Sequence, residues 1–72
     1  MSIYLILVVL TLPGPNPPTQ EMAREWVTAS TDSVCQVRAD KLATEQRQKH
    51  ADILQRLQAK VVGVCVRQGA TP

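Results

Sequence analysis

The sequence predicts an α+β fold: a small ββαβ domain whose three-stranded sheet, in the order 2-1-3, carries one long helix on one face. Three observations point there. Residues Ile3 to Leu10 form an unbroken apolar run, Ser33 to Ala59 contain neither Gly nor Pro, and Lys60 to Gln68 are rich in Val. The chain has 72 residues, which makes a single domain the expectation, 1–72. A domain of this size buries only about 60% of the surface its unfolded chain exposes, so it wants a staple or a partner. Hydrophobic residues make up 44% and charged residues 19% of the chain, enough apolar content to exclude wholesale disorder. A formal charge of +2 does not by itself argue for nucleic acid.

The first strand is expected at 3–12. Its apolar run invites three readings. A signal peptide needs a basic start and a small-residue cleavage site, yet only Met1 and Ser2 precede the run and no A-x-A follows it. A transmembrane helix needs about 20 apolar residues, and the run reaches about half that. A short apolar run bounded by Gly and Pro suits a strand covered on both faces, and Ile, Val and Tyr favour strands. The strand is the preferred reading; a membrane anchor in residues 1–12 is the competing one.

Residues 13–18 hold four of the five prolines and make a stiff loop that neither helix nor central strand can cross. Thr19 to Ala29 is ambiguous. The spacing of Met22, Arg24, Trp26 and Thr28 on one strand face favours a second strand at 24–29. Ser30-Thr31-Asp32-Ser33 is a helix-start signal, because these side chains accept hydrogen bonds from the free N–H groups of a first turn. Asp32 also suits the positive end of the helix dipole. A helix is expected over 32–59, with apolar or small residues at Cys35, Ala39, Leu42, Ile53, Leu54 and Leu57. Thr44 to His50 interrupt that stripe with polar residues but hold no turn former, so one continuous helix is preferred over a hairpin of two. The third strand is expected at 60–68, and 69–72 is read as a fraying tail.

The most apolar strand belongs in the centre of the sheet, which gives the order 2-1-3. Cys35 and Cys65 then lie at the same end of the domain and meet if Cys65 faces the helix. A disulfide there contributes on the order of 3 to 4 kcal/mol. Two buried thiols in a reducing compartment are the equal alternative. Facing Cys65 to the helix puts Val61 and Gly63 on the same side, where Gly63 permits close approach.

One helix covers one face only. On the first strand Ile3, Leu5, Leu7 and Val9 point one way, and Tyr4, Ile6, Val8 and Leu10 the other. Val62, Val64 and Val66 face away from the helix. The remaining apolar face requires a cover, because soluble monomers seldom show such a patch. The candidate interface is therefore Ile3, Tyr4, Leu5, Ile6, Leu7, Val8, Val9, Leu10, Trp26, Val62, Val64 and Val66. Its partner is expected to be protein, either a second copy or a larger assembly, with a membrane as the competing reading. The alternative is that Trp26 and the Pro-rich loop fold over and close that face.

No catalytic, cofactor-binding or metal-ligating constellation is recognisable, and the expectation is a non-enzymatic protein. His50 is alone, and two Cys about thirty positions apart do not match zinc spacing. Arg38, Lys41, Arg47, Lys49, Arg56 and Lys60 bias the helix towards positive charge. Asp40, Glu45 and Asp52 are interspersed, and the aromatics that would stack on single strands are missing, which disfavours nucleic acid and leaves a small nucleic-acid-binding regulator using this helix as a third, lesser reading.

The apolar strand Ile3–Leu10, the capped helix start Thr31-Asp32-Ser33-Val34-Cys35 and the strand segment Val64-Cys65-Val66 together resemble short, mostly uncharacterised proteins encoded by bacteriophages and prophages. The long helix and the Pro-rich loop are departures from that pattern. The resemblance covers most of the chain through generic motifs and transfers no site residue. It implies a small accessory or virion protein that works by binding. Cytoplasmic or virion-associated residence is the corresponding expectation, against membrane or periplasm.

Overall fold

The computed structural model describes residues 2–68. The chain forms β1 (Ser2–Thr11), β2 (Thr19–Ala29), α1 (Asp32–Lys49), α2 (Ala51–Leu57) and β3 (Lys60–Gln68). β1 is the central strand, paired antiparallel with both neighbours, and the sheet order is β2-β1-β3. This is the α+β architecture and strand order expected from the sequence. The tail expected at 69–72 lies outside the described residues.

Alternation along β1 sorts its side chains. Tyr4, Ile6 and Val8 are buried beneath the helical layer with Ala29, Cys35, Ala39, Ala43, Leu54 and Val61. Leu10 packs at the margin of this core. The core is two layers deep, and the shortest axis of the molecule is only 16 Å.

β2 begins five residues earlier than expected, at Thr19 rather than at residue 24. The register explains why the pattern hid this. Val8 pairs with Ala23, but Val9 pairs with Glu21, so Met22 is an extra residue in a β-bulge. Met22 and Ala23 both pack against the core, which breaks the alternation that marks a strand.

The helix starts where expected. Thr31 is the N-cap, and its hydroxyl accepts from the Val34 N–H at 3.2 Å. Its end differs from expectation. The helical segment is not continuous over 32–59 but is divided at His50, whose backbone (φ −120°, ψ 28°) leaves the helical range. The cause is length. Cys35 is joined to Cys65, Ala39 touches Gly63, and Arg47 reaches Val61, so α1 runs antiparallel over β3. Four helical residues rise about 6 Å and two strand residues about 6.6 Å, which keeps the Cys35–Cys65 and Ala39–Gly63 contacts in step, while Arg47, two turns further on, reaches back to Val61 with its long side chain. By that spacing Arg47 lies level with the start of β3. A helix continued straight to Ala59 would end about 18 Å past the sheet, where Lys60 cannot enter β3. The break at His50 turns α2 back, and Gln58 (φ 55°) closes it in the left-handed conformation. Of the apolar positions in this segment only Leu54 is buried; Ile53 and Leu57 face solvent.

Candidate interaction face

Cross-strand register builds the uncovered side of the sheet row by row. Trp26, Leu5 and Val66 lie abreast, then Arg24, Leu7 and Val64, then Glu21, Val9 and Val62, with Thr28, Ile3 and Gln68 at the far end. Neither α1 nor α2 lies on this side. Trp26 is 58% exposed, and Val62, Val64 and Val66 are 47%, 43% and 40% exposed. Leu5, Leu7 and Val9 are half-buried, shielded only by their neighbours in the sheet.

Eight of the residues expected at an interface therefore share one face: Ile3, Leu5, Leu7, Val9, Trp26, Val62, Val64 and Val66. Tyr4, Ile6, Val8 and Leu10 do not belong with them. Their side chains point to the helix, because successive residues of a strand face opposite ways. Trp26 and the Pro-rich loop do not close the face, since Trp26 is itself largely exposed and residues 13–18 are all exposed.

Charge on this face sits on Arg24 and Glu21 in the β2 column and on Lys60 in the end row beside Thr11. Arg24 donates two hydrogen bonds to the Glu21 carboxylate, at 3.0 and 2.7 Å. These bonds hold Glu21 below the usual carboxylate range and Arg24 above its ordinary value. The pair is internally neutral.

The opposite side is bound together by a different set of contacts. Arg38 on α1 donates to the Glu25 carboxylate on β2 at 2.8 and 3.1 Å, which lowers the Glu25 pKa. The Tyr4 hydroxyl donates to Asp32 at the start of α1, and this bond, with burial, raises the Tyr4 pKa. Cys35 and Cys65 form a disulfide with Cα atoms 6.3 Å apart, tying α1 to β3. Gly63 makes the close approach possible, because a Cβ there would lie 2.8 Å from the Ala39 carbonyl carbon.

Both outer strands are guarded along part of their edges. On β3 the Val61 carbonyl accepts from Arg47 at 2.9 Å and the Gly63 carbonyl from the Gln36 amide at 3.1 Å. On β2 the bulge at Met22 and the charges of Glu21, Arg24 and Glu25 make poor templates for a further strand. Arg38 and Arg47, two of the cations that bias the helix, are thus engaged within the fold.

Sequence reasoning missed two further apolar features. Val34 and Val37 are exposed on the outer side of α1, and Ile53 and Leu57 line a shallow groove with Leu10, Leu12 and Met22. The i, i+4 spacing of Ile53 and Leu57 was the available signal for the second.

Residues 2–11 are the central strand rather than a helical anchor, and among the described residues no helix is long and apolar enough to cross a membrane. Among the described residues no three His, Cys, Asp or Glu side chains gather as a metal site would require. Comparison with family models, with curated proteins and with solved structures found no match.

Proposed function

We propose that this chain is a non-enzymatic structural or interaction protein that works by docking its uncovered sheet face on protein, in the manner of the small phage accessory or virion components its pattern resembles. The single observation that carries the proposal is the contrast between guarded edges and an unguarded face. Arg47, Gln36, the bulge and the charges on β2 hinder strand addition. Eight apolar side chains meanwhile face water across three adjacent strands. Contiguous apolar surface of this kind, beside polar residues, marks interaction sites.

The test is binding of the dye ANS to the folded, dilute protein. Bound-dye fluorescence is expected, and Leu7→Lys is expected to remove most of it with the circular dichroism spectrum unchanged. A folded chain that leaves ANS dark and associates with nothing would refute the proposal.

A further inference from the structure

We infer that the occupant of this face is a second copy of the same chain, packed sheet on sheet with its β3 over the first copy's β2; the inference rests on the docking role proposed above. Four observations lead there.

The first is shape. The column that β2 contributes to the face is long-chained: Trp26, Arg24 and Glu21. The column from β3 is short: Val66, Val64 and Val62. Two sheets packed face to face keep a near-constant spacing of about 10 Å. A long column therefore needs a short one opposite. A two-fold axis parallel to β1 places the long column of each copy over the short column of the other. The alternative axis, across the strands, sets long on long and short on short, and the layers would splay into a wedge.

The second is charge. The only ionic groups in the four rows are Arg24 and Glu21, and they neutralise each other within one copy. Lys60, in the row beyond, lies opposite Thr19 of the other copy under the axis parallel to β1, so two copies can approach without like charges meeting.

The third is area. β1 has ten residues, about 33 Å of strand at 3.3 Å each, and three strands about 4.8 Å apart span about 14 Å. The footprint is about 460 Å² per copy. A pair buries about 1,000 Å² once side-chain relief is counted, at the lower bound for a specific interface. One copy covers the face with little left over, and association is weak enough to depend on concentration.

The fourth is the state of the edges. Side-by-side growth of the sheet meets the guards described above, so association closes as a two-fold pair rather than running on as a fibre.

The experiment is sedimentation equilibrium of the oxidised full chain from about 1 μM to about 1 mM, with ANS binding measured in parallel. A reversible monomer–dimer equilibrium is expected. Val64→Glu is expected to weaken it at least about thirtyfold. Val64→Thr, which keeps the branched strand-forming shape, shifts it less in the same direction and serves if the charged variant does not fold. Trp26→Val and Val66→Trp are each expected to weaken the dimer, the first by a gap and the second by a clash. Combined in one chain, they restore most of the affinity, because residue 26 of one copy faces residue 66 of the other. A dimer indifferent to Val64→Glu and Val64→Thr would overturn the inference, and additive losses in the double variant would overturn the placement of β3 over β2. A monomer at every concentration that still binds ANS at this face would overturn the second copy while leaving the docking role intact. A monomer that binds no ANS would overturn both.

Discussion

Reduction of the Cys35–Cys65 bond is the most informative single perturbation of this fold. The bridge spans 30 residues, and closing a loop of that length restricts the unfolded chain by about 3.5 kcal/mol at 25 °C. A chain of 72 residues has a total stability of roughly 4 to 11 kcal/mol. The bridge therefore supplies between a third and most of what holds the domain folded. At about 4 to 8 °C per kcal/mol for a domain of this size, reduction should lower Tm by about 14 to 28 °C. The assay is urea and thermal unfolding followed by circular dichroism, with and without a phosphine reductant. The midpoint should fall on reduction. The urea dependence should steepen modestly, because the reduced unfolded chain expands and exposes more surface. Cys35→Ala combined with Cys65→Ala should reproduce the reduced protein to within about 1 kcal/mol, the cost of a small volume change in the core. Oxidised and reduced chains that melt within about 3 °C of each other would refute the reasoning. The loop enclosed by the bridge would then already be constrained in the unfolded state.

Three further expectations follow from the packing. Gly63→Ala should cost about 1 to 3 kcal/mol, because the new methyl meets the Ala39 backbone rather than a side chain that can turn aside; thermal melts measure it, and an unchanged Tm would show that α1 lifts freely from β3. Leu54→Ala should cost about 2 kcal/mol, the low end for a buried leucine because α2 can settle inward, and hydrogen exchange should show the extra opening concentrated in residues 51–57. Tyr4 is the only tyrosine, so its ionisation can be followed alone by ultraviolet absorbance. Its hydroxyl holds the proton more tightly in the folded state than at its ordinary value of 10.0. That contribution to stability is complete below pH 10 and is lost as pH rises through the raised value. The titration midpoint should lie above 10, and Tyr4→Phe should reduce the alkaline loss of stability; a midpoint at or below the ordinary value would sink this account.

What the sequence disclosed, and what it concealed, has physical causes. The sheet order was legible because the first strand is the most apolar of the three, and such a strand is best placed between two others. The cysteine pair was legible in position, since both fall at one end of the domain, but compartment rather than pattern decides its oxidation. The first half of β2 was hidden by the bulge, which sets Met22 and Ala23 on one side in succession. The break at His50 was hidden because Thr44 to Lys49 are all acceptable in a helix; no local signal marks it. It follows instead from a long-range condition, that α1 and β3 stay in step and Lys60 begin a strand. For the interaction face, period-two alternation alone separates Ile3, Leu5, Leu7 and Val9 from Tyr4, Ile6, Val8 and Leu10. Treating the run Ile3–Leu10 as one unit obscured that division.

The helical layer is fastened unequally at its two ends. Near its beginning a covalent link, the Arg38–Glu25 ion pair and the Tyr4–Asp32 bond hold α1 to both outer and central strands. Near its finish one buried leucine anchors a seven-residue turnback. Thermal opening of this molecule thus has a direction: it peels from the α2 corner and halts before the cystine, like a cover on a single pin. Proteases acting on the native chain should cut first at Arg56 or Lys49 and leave the cystine-bearing end intact.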